Sequence, residues 1–465
     1  MAIKFGTDGW RGIMARDFTF EGVRRVAQAL SDYLKTHAPK TKAKHSVFVG
    51  YDRRFMSDVF AKEIAGILEA NGHSTTLSSE PIPTPAVSFL TQKLKAVGVV
   101  VTASHNPPSH NGVKIKLEGR AAPESVTSEV ESFLDRAHPV KGSEPATKSY
   151  RKEYLDYLRS HANTAAFLSR LPGTVVVDYM HGASGGLMSE LAKGNKRIVE
   201  IRSEIDPLFG GTAPEPVEKN LAPLREAILK EKALFGIALD GDGDRVALMD
   251  EKGRYLTPCQ VFPLLLEYLI ENHKLKGKIV QSVSLGYLAA KVAAAHNMEF
   301  EELPVGFKHV AEQLALGRAV ACGEESGGYA WKGNLPERDG LLTGLLFMEM
   351  IVKRRKKLSE LWLEIEKKYG ASDFRRVDFH ISKPATDKAA FTAKVQKRVP
   401  QKIGGVPVKN VMILDGVKVV LENGHWVLMR PSGTEPLIRT YAETDSPKQT
   451  QLLLETAAKW VHTHL

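Results

Sequence analysis

Three aspartates at alternate positions, Asp240-Gly241-Asp242-Gly243-Asp244, followed by Arg245, form the densest cluster of chemistry-bearing groups in this 465-residue chain. Spaced by two glycines, their carboxylates can converge on one hard cation. So short a ligand set favours magnesium, which keeps coordination positions open for phosphate oxygens. The calcium loop of helix–loop–helix proteins does not fit, because its downstream bidentate Glu and flanking helices are missing. A second loop, Thr102-Ala103-Ser104-His105-Asn106-Pro107, displays a hydroxyl beside an imidazole. Such a hydroxyl is a poor nucleophile until a base or a metal assists it. In Gly323-Glu324-Glu325-Ser326-Gly327-Gly328, carboxylates and a hydroxyl suit hydrogen bonds to sugar hydroxyls. The last loop, Arg430-Pro431-Ser432-Gly433-Thr434-Glu435-Pro436, combines hydroxyls, a glycine amide and an Arg into a phosphate cradle, with Arg439 on the next strand. No GxxxxGK[ST] pattern is present. Taken singly, the Ser104 and Arg430 loops would read as ordinary turns.

Each loop directly follows a predicted strand. In open α/β sheets ligands bind beyond the carboxyl ends of strands, so one shared cleft is expected. The spacing predicts strands at 46–50, 96–101 and 113–117 with a helix over 58–70, then strands at 174–177 and 234–239 with a helix after Gly185. A third cycle predicts strands at 279–283 and 319–322 around a helix over 287–295. The alternation implies α/β domains with largely parallel sheets. The last hundred residues differ: strands at 375–380, 411–414, 417–421, 426–429 and 437–441, with helices at 387–398 and the C-terminus, predict a smaller α+β domain. Boundaries are expected to give domains 1–146, 147–254, 255–370 and 371–465, the first break lying in the Pro- and Gly-bearing stretch 137–147.

The remaining features narrow the class. A length of 465 residues exceeds what one core organises. Two cysteines, Cys259 and Cys322, with no CxxC spacing argue against a disulfide framework and against zinc, and fit a reducing cytoplasm. The most apolar run, 261–270, is broken by Pro263 and Glu267 and reads as a buried helix rather than a membrane span. The residues from Met1 to Trp10 do not read as a signal peptide. A net charge of +10 invites nucleic acid, yet the most basic run, 353–357, sits in a helical pattern expected to be a solvated face. A small anionic substrate accounts for the excess equally well. Monomer and dimer both stay open.

Together with FGTDGWRG at 5–12, the motifs TASHNP at 102–107, DGDGDR at 240–245, GEESGG at 323–328 and RPSGTEP at 430–436 closely resemble the α-D-phosphohexomutase superfamily, in family order and across nearly the whole chain. The resemblance implies three related α/β domains plus a smaller α+β domain around a central cleft. It implies an isomerase acting as an intramolecular phosphotransferase on hexose 1- and 6-phosphates, with Mg2+ and a hexose 1,6-bisphosphate intermediate. On it, Ser104 is the phosphorylated residue and, with Asp240, Asp242 and Asp244, a metal ligand. Glu324, Ser326, Lys308 of the GFK segment and Arg245 contact the sugar; Arg430, Ser432, Gly433, Thr434 and Arg439 hold phosphate. Arg11 neutralises charge near Ser104. Lys114 is the leading proton acceptor, provided its pKa is lowered, and His105 is its competitor. Bifunctional phosphomanno/phosphoglucomutases usually carry a His where this chain has Gly328, and glucose-selecting relatives often read GEESFG. GEES and GFK tilt the expectation toward glucose phosphate, with mannose phosphate the rival, and glucosamine phosphate or a bisphosphate synthase or phosphatase behind it.

Overall fold

The computed structural model describes residues 3–37, 46–162, 164–381, 387–432 and 436–462. The chain divides into two compact units, one of residues 1–255, 314–316 and 327–358, the other of 256–313, 317–326 and 359–465.

In the first unit one sheet is built on three parallel strands, Ser46–Tyr51, Ser74–Ser78 and Val97–Val101. Val97–Val101 (VGVVV) is buried throughout, as a strand covered on both faces must be. His110–Leu117 returns antiparallel beside it and carries Trp10–Ile13 on its other edge. The covering helices, Phe20–Thr36 and Ser57–Ala70, bury their apolar stripes in a core containing Val26, Leu30, Ile64, Val49 and Val99. A second sheet has parallel strands Ile198–Ile201, Val175–Asp178 and Phe235–Leu239, with Val246–Asp250 antiparallel at the edge of Phe235–Leu239. Both antiparallel returns reverse the chain tightly after a buried strand. Those two reversals are the Ser104 loop and the triple-aspartate loop.

In the second unit Phe300–Leu303, Ile279–Ser282 and Ala321–Glu324 are parallel. The C-terminal part is a meander of Val406–Met412, Val417–Leu421, Trp426–Pro431, Leu437–Thr444 and Asp373–His380, antiparallel throughout. Helices Lys388–Gln396 and Pro447–His462 accompany it, the α+β arrangement expected. Buried Glu443 ties this sheet to the parallel one by accepting from the Trp426 indole, the Tyr287 amide and the Ser372 hydroxyl.

The fold class stands as expected. Two local expectations are corrected. The run 353–357 is not one helical face: Gly340–Arg354 ends at Arg355, whose φ of 54° caps it, and the next helix begins at Leu358. The helix expected after Gly185 is present as the short Leu187–Leu191. The strand placed at 411–414 is Val406–Met412, with a bulge between Val408 and Asn410 that disguised its period. Neither cysteine forms a disulfide, and among the described residues no helix is long and apolar enough to cross a membrane.

Helix Gly340–Arg354 lies behind the triple-aspartate loop, and Asp339 caps it by accepting from the Leu342 amide at 2.9 Å. The Tyr154 hydroxyl donates to the other oxygen at 2.9 Å. Burial nonetheless pushes the Asp339 carboxyl up to about 7, the hydrogen bonds offsetting only part of the cost. A folded-state pKa above the unfolded one adds stability at low pH that is lost as pH rises through the folded value. Asp339→Asn keeps a cap acceptor without the charge. Urea unfolding is expected to show wild type losing stability, relative to the variant, between about pH 4 and about pH 7, by at most about 1.4 kcal/mol per pH unit. Parallel profiles would contradict this.

Candidate active site

Ser104 is fully buried and has a φ of 52°, in the left-handed region that a residue with a Cβ enters at a cost of about 1–3 kcal/mol. The surroundings over-determine that conformation. The Arg54 guanidinium donates to four loop carbonyls: Ser104 at 2.6 Å, Asn106 at 2.7 Å, Pro107 at 2.8 Å and His110 at 3.1 Å. Asp52 pairs with Arg54 at 3.1 Å and accepts from Thr102 Oγ1 at 2.6 Å, and that oxygen accepts in turn from the Ser104 amide at 2.8 Å. Arg11, on strand Trp10–Ile13, donates to Asn106 Oδ1 at 2.7 Å and so holds the loop from the other side.

The triple-aspartate loop comes against this turn because Gly241 has no side chain; a Cβ there would lie 2.6 Å from the Ser104 carbonyl. Asp240, Asp242 and Asp244 are fully buried, with one oxygen of each within 4.8 Å of the others. Ser104 Oγ donates to Asp240 Oδ2 at 2.9 Å. The other Asp240 oxygen accepts the amides of Asp244 and Arg245 at 2.9 and 3.0 Å, which fixes the turn. Burial and the two neighbouring carboxylates push Asp240 well above the usual carboxylate range. Asp242 goes the other way. Burial would raise it, but the Lys114 ammonium at 2.8 Å and the Thr84 hydroxyl at 2.6 Å hold it low.

Asp242 Oδ1 and Asp244 Oδ1 are buried without a hydrogen-bond partner. Buried acceptors left this way are costly, and three converging hard oxygens fit a divalent cation of the magnesium type. Asp240, Asp242 and Asp244 would hold it, with Ser104 Oγ alongside.

Lys114 is buried among carboxylates, 2.7 Å from Asp8, 2.8 Å from Asp242 and 3.2 Å from Asp244. Burial alone would lower its pKa, but these charges outweigh it and the net shift is upward. This is opposite to the lowering a lysine base needs. His105, with Nδ1 at 3.5 Å from Ser104 Oγ, is pushed well below its ordinary value by burial and then by Arg245, Arg11, Lys114 and Arg338. That shift favours the neutral imidazole and makes it a weak proton acceptor.

Several groups in this cluster had no role in the sequence reading. Asp8 lies inside FGTDGWRG, and Arg338 bonds it at 2.9 Å and Asp244 at 2.6 Å. Lys116 pairs with Glu337 at 2.6 Å. The charged segment Glu337-Arg338-Asp339, directly before a buried helix, was the available signal. Asp52 and Arg54, directly after a strand, were another.

The second unit holds the remaining candidates. Glu324 accepts from the Gly306 amide at 2.8 Å and from Ser326 Oγ at 2.6 Å, which joins the GEES loop to the GFK segment. Lys308 is half-buried in the first turn of helix Phe307–Ala315. Arg430 and Arg439 sit directly opposite on paired strands, and Asp415 neutralises Arg430 at 2.6 Å. Facing guanidiniums repel unless an anion or carboxylate lies between or beside them. Ser432 is buried nearby in sequence, while Gly433 and Thr434 lie outside the described residues.

Four profiles described as phosphoglucomutase/phosphomannomutase match in order: alpha/beta/alpha domain I at 2–140, domain II at 152–253, domain III at 257–369 and the C-terminal domain at 351–459. A phosphoglucomutase/phosphomannomutase of Thermococcus kodakarensis is 30% identical, the match spanning 98% of this chain and 97% of the relative. A phosphoglucosamine mutase of Carboxydothermus hydrogenoformans is also 30% identical, with 97% of each covered. A solved structure from Thermus thermophilus, provisionally described as a phosphomannomutase, superposes with a TM-score of 0.87 at 33% identity over 99% of both chains.

The Arg54 clamp gives a direct test. Arg54→Met should cost on the order of 3–5 kcal/mol in urea unfolding, since Asp52 and four carbonyls lose a buried partner. A loss under about 1 kcal/mol would show that the loop does not depend on it.

Proposed function

Since this chain belongs to the phosphoglucomutase/phosphomannomutase family, isomerases that act by phosphoryl transfer, we propose that it interconverts hexose 1-phosphate and hexose 6-phosphate, glucose favoured, through phospho-Ser104 and a hexose 1,6-bisphosphate. The observation that carries this reading is the Ser104 hydroxyl, buried in a strained turn and 2.9 Å from a three-carboxylate cluster.

Phosphoryl transfer needs positioning and charge neutralisation more than covalent ingenuity. A bound magnesium ion would supply that neutralisation beside the transferring group. The chain's own residues do the rest. The Arg54 clamp aims Ser104, while Arg11, Lys114, Arg245 and Arg338 surround it with positive charge. In the forward step the Oγ–P bond of phospho-Ser104 breaks as a sugar hydroxyl forms its own P–O bond and loses its proton to a base. The bisphosphate then reorients, and its other phosphoryl returns to Ser104 Oγ by the same chemistry reversed.

In the arrangement described, His105 is neutral but a weak proton acceptor and Lys114 is a fixed cation. A divalent ion on the same carboxylates would weaken Lys114's hold on its proton, so Lys114 serves as base only with the ion bound. Glu324, Ser326 and Lys308 are assigned to the sugar, and Arg430, Ser432 and Arg439 to its second phosphate, with Gly433 and Thr434 completing that loop. The glucose preference rests on GEES and GFK. The relatives span phosphoglucomutase/phosphomannomutase and phosphoglucosamine mutase, so mannose phosphate stays the alternative, with glucosamine phosphate behind it.

A coupled assay with glucose, mannose and glucosamine 1-phosphates, each with catalytic bisphosphate and magnesium, tests the reading. The highest kcat/KM is expected for glucose, with activity lost on chelation and in Ser104→Ala while the fold persists. Release of inorganic phosphate without isomerisation would reject the mutase reading, and near-normal Ser104→Ala turnover would reject the phosphoserine.

A further inference from the structure

Two neighbouring glycines of the GEESGG loop are glycine for different reasons. Gly327 has a φ of 83°, and a Cβ there would lie 2.5 Å from the Val246 carbonyl. Gly328 has no positive φ. Its constraint comes from one side chain: a Cβ at 328 would lie 2.1 Å from Arg338 Cδ and 2.7 Å from Cγ, and the next nearest atom is Arg338 Nε at 3.5 Å. Both contacts are far inside the closest approach of two carbons, so the arginine would have to leave.

Its backbone has little freedom to yield. Glu337, on one side, is held by Lys116 at 2.6 Å and by the Ser88 hydroxyl at 2.9 Å. Asp339, on the other, is fixed by Tyr154 and the Leu342 amide. Arg338 is itself only 4% exposed, and one of its nitrogens bridges Asp8 and Asp244. Anything that moves the side chain therefore takes one of their cations from two carboxylates of the candidate active site, one of them a candidate metal ligand, and leaves Lys114 to hold both.

We propose that Gly328 and Arg338 are a matched pair: the missing side chain at 328 makes room for the guanidinium that positions Asp8 and Asp244. The His that bifunctional relatives usually carry at this place would overlap the Cγ–Cδ stem that carries that guanidinium. Arg338 is thus a positioning residue, and the sugar is read without any side chain at 328. The catalytic part of this inference rests on the mutase reading.

The test is a double-mutant cycle of Gly328→Ala and Arg338→Ala, with Arg338→Lys as the conservative variant, read in kcat, KM and urea midpoint. Gly328→Ala should lower kcat about tenfold or more in the wild-type background and less than about twofold when Arg338 is already Ala, with KM changing less than about threefold throughout. Arg338→Lys, which keeps a cation, should recover part of what Arg338→Ala loses. Additive costs, or a lysine variant no better than alanine, would overturn the proposal. The urea midpoints carry the pairing independently: Gly328→Ala should destabilise wild type and not the Arg338→Ala protein, which has the space. Wild type inactive on every hexose phosphate would defeat the mutase reading while leaving the stability cycle to decide the pair. Should Gly328→Ala alone fail to fold, recovery of folding in the double variant supports the pair, and continued misfolding contradicts it.

Discussion

Burying three carboxylates together is the constraint on which the first unit depends. Taking such charges out of water is expensive, and their mutual repulsion adds to the cost. The fold answers with cations drawn from distant parts of the chain. Lys114 comes from a sheet strand, Arg338 from the segment before a helix and Arg245 from the loop itself. Asp8 sits between Lys114, Lys116, Arg338 and Arg11 and is held well below its ordinary pKa; burial opposes this, and the four cations overcome it. Two buried oxygens, on Asp242 and Asp244, stay without a hydrogen-bond partner. With Asp240 they make a group of carboxylates that could hold a metal ion.

The same logic explains why Ser104 sits where it does. A strained, left-handed serine is stable only where neighbouring groups fix its backbone, and Arg54 and Asp52 do so from the loop directly after strand Ser46–Tyr51. Gly241 lets the aspartate loop approach to the distance at which the Ser104 hydroxyl bonds Asp240. Both loops are reversals after buried strands, so two unrelated pieces of sequence reach one place by the same local device. Rigidity here serves phosphoryl transfer, which gains most from fixed geometry and fixed charge.

Much of this was legible in the sequence. Ser104 and the three aspartates announce themselves because each lies in a short, self-contained motif after an apolar run. The α/β alternation and the change to an antiparallel C-terminal part were equally readable. Arg338 and Asp8 were not, because they lie 330 positions apart and meet only in the folded chain. Arg54, 50 positions from Ser104, was hidden for the same reason. Lys114 shows the limit most clearly. Its type and place were visible, but the sign of its pKa shift depends on carboxylates that no local pattern reveals. Gly328 is visible in the sequence as a departure from relatives, whereas the arginine packed against it is visible only in the folded chain.

In the proposed reaction Ser104 carries the phosphoryl group between substrate and product. Phosphopeptide mass spectrometry, after brief incubation of the purified protein with glucose 1,6-bisphosphate and magnesium, tests it most directly. One phosphoryl group is expected on the peptide containing Ser104, located on that residue and removed by adding glucose 1-phosphate. Turnover proceeding while Ser104 stays unmodified, or phosphate found stably on another residue, would contradict it.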